Sequence, residues 1–214
     1  MSTTAAAVSS RQRLLDAALG EFRTRGYAAT TVDDLCRAAG VSKGAFFHHF
    51  ASKEALALAA VEYWNTYTGQ LFAQSSYHAL PDPRDRVLAY IDLRGELLRG
   101  ELAQFTCLLG TLVQETYESH PALRAACRAG IEGHADTLVR DIAEAKKKYA
   151  PKATWSPESI ALYTQVALQG AFVLAKAQGG LAVATDAIAH LHRYIELLLP
   201  SSPARPIPKS RRTQ

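Results

Sequence analysis

Lys43, His48 and Lys53, set among Gly40-Val41-Ser42, Gly44-Ala45 and Phe46-Phe47, are the residues best suited by type and spacing to meet a polyanion. An ammonium or an imidazole donates to phosphate oxygens or to guanine O6 and N7, and the Ala45 methyl can meet a thymine methyl. Local signals say what must hold them. Thr31 precedes an apolar rhythm of Val32, Leu35 and Ala39 at helical spacing, and its hydroxyl can accept from the free amide near Asp34. Asp33 and Asp34 place negative charge at the positive end of that helix. Gly40 permits a left-handed stop after roughly two turns. Ser42 caps a second short helix, whose Phe46 and Phe50 share one face and can pack on the first. Ser52, Lys53 and Glu54 then start a third helix running through Leu56, Leu58 and Val61. Two short helices joined by a glycine turn form the geometry that lays the second helix in the major groove of duplex DNA.

Over residues 11 to 56 the chain resembles the N-terminal domain of the TetR/AcrR family of bacterial transcriptional repressors. The agreement runs through Leu14-Leu15, Ala17-Ala18, Phe22, Gly26-Tyr27, Thr30-Thr31, Val32, Leu35, Ala39-Gly40-Val41-Ser42, Phe50, Ser52-Lys53 and Leu56. The resemblance implies that Thr31 and Lys53 hold phosphates of double-stranded DNA. Ser42 would open the recognition helix, whose leading Lys43, Gly44 and Ala45 reach base edges, and His48 would touch backbone or base. Where many members have tyrosine this chain has Phe47, which can pack on sugar and base but lacks the phenolic hydroxyl. His49 fits a DNA contact or a packing role equally.

Charge is consistent with a local basic surface only. The 214 residues carry 24 Lys+Arg against 20 Asp+Glu, a formal +4. Arg205, Lys209, Arg211 and Arg212, with no acid after Pro200, supply that excess, so the remainder is nearly neutral. Cys36, Cys107 and Cys127 are odd in number and form no Cys-x-x-Cys pair, which suits reduced thiols and a cytoplasmic location. The first ten residues lack an apolar signal core, and no run is expected to reach membrane-spanning length. There is no nucleophile elbow, no phosphate-binding glycine loop and no metal-spaced histidine set, so neither an enzyme nor a metal or cofactor site is expected. His190 and His192, two apart, point to different sides of a helix.

Beyond Leu56 the pattern is helical throughout, predicting an all-α fold with helices near 53–76, 84–99, 101–118, 121–148, 157–178 and 182–199. The expected organisation is a flexible 1–10, a DNA-binding 11–56, a helical ligand-binding and dimerisation domain 57–200, and a flexible basic tail 201–214. Ile188, Leu191, Ile195 and Leu198 make one apolar stripe, and Leu162, Val166, Gln169 and Val173 another, with Ala167 and Gly170 allowing close helix approach. Either stripe could bury within its own subunit. The resemblance implies that these two helices pair with their copies in a homodimer, which would present two recognition helices to a near-palindromic site. It also implies a pocket for a small-molecule inducer among the middle helices, with Trp64, Tyr67, Phe105, Cys107, Tyr117, Gln169, Phe172 and Lys176 as candidate lining. Lys176 beside Cys107 would lower the thiol pKa and make it a sensor of electrophiles or oxidants. Without that neighbour Cys107 is a small thiol filling space. The resemblance leaves repression and activation both open, and a helical scaffold without specific DNA binding is the reading from outside that class.

Overall fold

The computed structural model describes residues 8–201, so the basic tail expected at 201–214 lies, past its first residue, outside the described residues. Among the described residues ten α-helices follow in order: α1 Ser10–Arg25, α2 Val32–Ala39, α3 Lys43–His49, α4 Lys53–Ala73, α5 Pro83–Glu96, α6 Leu102–Phe105, α7 Leu108–Thr116, α8 Pro121–Tyr149, α9 Pro157–Gln178 and α10 Ala182–Leu198. A 3-10 turn, Ser76–Ala79, links α4 to α5. The all-α expectation holds among the described residues.

The starts and stops have chemical causes. The side chains of Ser9, Thr31, Ser42, Ser52, Asp82 and Ser156 each accept an amide hydrogen from the first turn of the helix they precede. Pro83, Pro121 and Pro157 occupy first-turn positions where no amide is missed. Gly40 ends α2 at φ 61° and ψ 42°, a left-handed conformation that a side chain would strain.

One expected helix is two. The chain breaks at Thr106 and Cys107, both extended, so α6 is a single turn and Cys107 caps α7 instead of lying inside a helix. The Arg23 guanidinium donates to the carbonyls of Gln104 at 3.2 Å and Thr106 at 3.5 Å, satisfying acceptors that the break exposes.

Two large apolar cores, beside a small cluster of Ala171, Ala175 and Ala184, hold the described residues together. The first joins Leu14, Phe22, Leu35, Phe46 and Leu56 to Leu108, Leu112, Leu123 and Cys127, so α7 and the start of α8 complete the core of the N-terminal helices. The boundary expected at residue 56 falls within α4, which runs unbroken from one core into the other. The second packs α5, α8, α9 and α10 about Tyr90, Ile91, Leu138, Ile142, Leu168 and Leu191. Arg86 of α5 bonds the buried Asp141 of α8 at 3.0 Å and also Glu144, locking those two helices.

Against expectation, α9 is by length and composition apolar enough to cross a membrane, at 22 residues with a mean hydropathy of 1.3 over its most apolar window. Here it packs between α8 and α10, burying Ile160, Ala161, Thr164, Gln165, Leu168 and Phe172.

Candidate nucleic-acid interface and ligand cavity

The expected helix-turn-helix forms from its own caps. Thr31 Oγ1 accepts from the Asp34 amide at 3.1 Å, Val41 N–H returns to the Cys36 carbonyl at 3.0 Å, and Ser42 Oγ accepts from the Ala45 amide at 3.1 Å. Phe46 is fully buried and Phe50 nearly so, which fixes the opposite face of α3 outward. Lys43, Gly44, Phe47 and His48 are exposed there with Ser42, while Ala45 and His49 are half-buried at the edge. Arg13 of α1 donates to the Gly40 carbonyl at 3.0 Å and so braces the turn.

Three expected DNA contacts have other partners in the structure. Lys43 Nζ pairs with Asp33 of α2 at 2.9 Å. Both groups are well exposed, and such pairs contribute only about 0.2–1 kcal/mol, so a base or phosphate can displace the carboxylate. Thr31 directs both its amide, at 3.0 Å, and its hydroxyl, at 2.7 Å, to the Asp34 carboxylate. Those bonds, with Arg25 and Arg37 alongside, hold Asp34 well below the usual carboxylate pKa. A phosphate at Thr31 must therefore compete with a fixed anion. Lys53 is turned inward: its ammonium donates to the carbonyls of Tyr27 at 2.8 Å and Thr30 at 2.9 Å and lies 4.2 Å from the Tyr27 ring centroid. Desolvation lowers its pKa, and its first task is to clamp the α1–α2 loop.

That loop also meets α7. The Ala28 amide donates to Glu115 at 2.8 Å, and Gly26, at φ 85°, lies so close that a Cβ there would stand 2.1 Å from Glu115 Oε1. Arg23 adds the link from α1 to the α6–α7 break.

Behind this seam lies a cavity of about 400 Å³ walled by α1 and α4 to α9. Trp64, Tyr67, Phe105, Cys107, Gln169 and Phe172, all expected as lining, do line it. Tyr117, at the end of α7, is 56 % exposed and lies elsewhere. Lys176 also stands outside the wall, donating to Thr111 Oγ1 at 2.7 Å, while Thr111 donates to the Cys107 carbonyl at 3.0 Å. Its ammonium thus bonds Thr111 and not the sulfur, although Lys176 and Arg23 both lie within electrostatic reach of Cys107. Arg23, Asn65, Thr68, Arg94, Gln104, His134 and Gln165 complete the polar lining. Sequence reasoning did not name them, since no local spacing distinguishes an inward arginine from a solvated one.

Residues 14–60 match the family described as bacterial regulatory proteins, tetR family, and residues 83–191 match the tetracyclin repressor-like C-terminal domain. The chain belongs to the TetR family. It is a transcriptional regulator of the DNA-binding, helix-turn-helix class. It is similar to the transcriptional regulator AcuR of Cereibacter sphaeroides, 28 % identical over 165 residues that span 77 % of this chain and 75 % of AcuR. The crystal structure of a regulatory protein TetR from Rhodobacter sphaeroides superposes with a TM-score of 0.76 at 26 % identity, covering 88 % of this chain and 98 % of that one. The fold is also that of CifR, whose cysteine mutant was crystallised with 26-bp double-strand operator DNA. That match has a TM-score of 0.70 at 18 % identity over 94 % of this chain and all of the other.

In this TetR-family chain the two helices expected to pair with a second copy divide their residues differently from the sequence reading. On α9, Leu162, Val166 and Val173 are 43 %, 59 % and 43 % exposed, and Gly170 is exposed beside them. Gln169 turns into the cavity instead. On α10, Ile188, Leu191 and Ile195 are buried within the subunit against α5 and α9, and Leu198 is half-buried. The large exposed apolar residues of α10 are Tyr194 and Leu197, with the Tyr194 ring tilted 56° against that of Tyr163 of α9 at 5.1 Å between centroids.

The cavity wall of the TetR-family chain also holds a pH-sensitive histidine. His134 Nε2 lies 2.9 Å from the Tyr90 hydroxyl, which also accepts from Gln165 at 3.2 Å. Burial, then the charge of Arg94, pushes the His134 pKa down to about 3. The depressed value means that the unfolded chain binds the proton first as pH falls below about 6.5. Stability present at neutral pH is therefore expected to fall between pH 6.5 and 3, by up to about 1.4 kcal/mol per pH unit. Thermal melts from pH 7 to 4 should show a shallower decline for His134→Gln than for the parent, and parallel curves would remove His134 from the account.

Proposed function

We propose that this regulator is a homodimeric repressor that grips a near-palindromic operator and is released by a small molecule bound in the cavity. The observation that carries the reading is the outward face of α3, with Lys43, Gly44, Phe47 and His48 exposed over a buried Phe46. Residues 11–56 supply the DNA-reading surface and 57–200 the dimer surface and most of the ligand cavity, to which α1 adds Leu19 and Arg23. A two-fold pairing through the exposed α9–α10 face would present two such helices, as an inverted repeat requires. The protein would act in the cytoplasm as a regulator and not as an enzyme.

Ligand response needs a route from cavity to DNA, and Arg23 is suited to supply it. It stands in the cavity wall, stacks 4.9 Å from the Trp64 ring centroid and ties α1 to the α6–α7 break. A ligand that binds better when those bonds are rearranged would shift α1, and the recognition helices with it. An inducer with equal affinity for both arrangements would release nothing. Cys107 in the same wall favours a second reading, in which an electrophile is captured covalently at Sγ, a state that intact-protein mass distinguishes from reversible binding.

Selection from random duplex DNA by the purified protein tests the proposal, which expects an enriched inverted repeat. No enrichment would count against it. On the enriched site Lys43→Ala should cost about 1–3 kcal/mol, and less on sites lacking the preferred base. Lys53→Ala should weaken all duplexes alike, because it loosens the loop before α2 and any phosphate contact carries no sequence code. Uniform losses for Lys43→Ala, measured by fluorescence anisotropy, would remove its base-reading role.

A further inference from the structure

We propose that the cavity is built for a small organic anion, a carboxylate on an apolar body whose head group pairs with the Arg94 guanidinium. As an inducer class this rests on the ligand-response reading above, but the binding event stands on the cavity alone.

Arg94 is the odd arginine of α5. On the same helix Arg86 pairs with Asp141 and Glu144, and Arg84 bonds the Leu199 carbonyl and reaches Glu196. Among the described residues Arg94 has no carboxylate within 4 Å and no hydrogen bond to protein. It is half-buried, 5.2 Å from the Phe72 ring centroid, in the cavity wall. Withdrawing a cation from water without a counter-charge is costly, and a ring face offsets little of that.

The rest of the wall repeats the sign. Arg23 brings a second guanidinium whose bonds go to three backbone carbonyls and to no carboxylate. Among the described residues no aspartate or glutamate lines the cavity. His134, kept neutral by burial and by Arg94 itself, neither cancels nor adds to that charge. The uncompensated positive potential of a partly enclosed, low-dielectric site favours an anion, and the planar guanidinium fork matches a carboxylate in two parallel bonds. Phe105, Phe172 and Leu98 offer apolar surface for the body of such a molecule.

Matched pairs test the proposal on the full chain. Butanoate to decanoate, benzoate, phenylacetate and 4-phenylbutanoate are titrated calorimetrically, each beside its primary amide. At least one acid is expected to bind about tenfold or more tighter than its amide. Arg94→Gln should erase that preference while melting within a few degrees of the parent, and Arg94→Lys should keep part of it. Equal binding of acids and amides, a preference that survives in Arg94→Gln, or no binding by any acid overturns the proposal. Operator affinity is read separately by anisotropy. An acid that binds with Arg94-dependent preference yet leaves operator affinity unchanged upholds the anion site and rejects the ligand-response reading.

Discussion

Phe46→Ala is expected to cost about 3–5 kcal/mol of folding stability and, with it, operator binding. Phe46 is fully buried, with its ring 5.1 Å from that of Phe47 and 6.2 Å from that of Phe50, in the core that includes Leu14, Leu35 and Leu56. The helix it anchors has seven residues, too few to persist in water without tertiary packing. Removing the ring leaves a cavity where α1, α2 and α3 converge, and the recognition helix loses what sets its angle. Denaturant unfolding followed by circular dichroism gives the stability, and anisotropy gives the DNA affinity. Phe47→Ala is the control: one position along and 51 % exposed, it should alter stability by about 0.5 kcal/mol or less. A Phe46→Ala protein that unfolds at the parent's denaturant midpoint would show that α3 is held by something else.

On the proposed two-fold pairing, Val166→Asp should turn a dimer into monomers and lower operator affinity about 100-fold or more, since two linked half-sites are then read singly. Val166 is 59 % exposed at the middle of the α9 face, with Leu162 about one turn before it, Val173 about two turns after it, and Tyr194 and Leu197 presented by α10. Under two-fold symmetry each substitution enters the interface twice, so two carboxylates would be desolvated against apolar surface. The monomer fold should be spared, because nothing in the subunit buries this side chain. Sedimentation velocity reads the mass directly. A variant that remains dimeric with full operator affinity would exclude this face as the pairing surface.

Much of this molecule was legible because its signals are local. Thr31, Gly40, Ser42 and Ser52 act on amides within three residues or on their own dihedral angles, and the caps and turn formed where those residues stand. The break at Thr106 was not legible, since neither proline nor glycine marks it and the bonds that satisfy it come from Arg23, about eighty residues earlier. The α10 stripe misled for a different reason. Helical period reveals that Ile188, Leu191 and Ile195 are buried together but not whose surface covers them, and α5 and α9 of the same subunit do. In the cavity the aromatic residues could be anticipated from type, whereas Arg23 and Arg94 were missed because an arginine on a helix is ordinarily solvated.

The shared first core sets a rule for anyone wishing to re-aim this regulator at a different DNA sequence. A head exchanged at residue 56 would leave behind Leu108, Leu112, Leu123 and Cys127, which close the core beneath it, and Glu115, which the α1–α2 loop needs. The donor head would meet a foreign socket, with its glycine facing the wrong side chain. A working graft must either carry α7 and the first turns of α8 along with the head, or change only the outward residues of α3. The portable part of this protein is a surface of a few side chains, and the domain beneath it stays home.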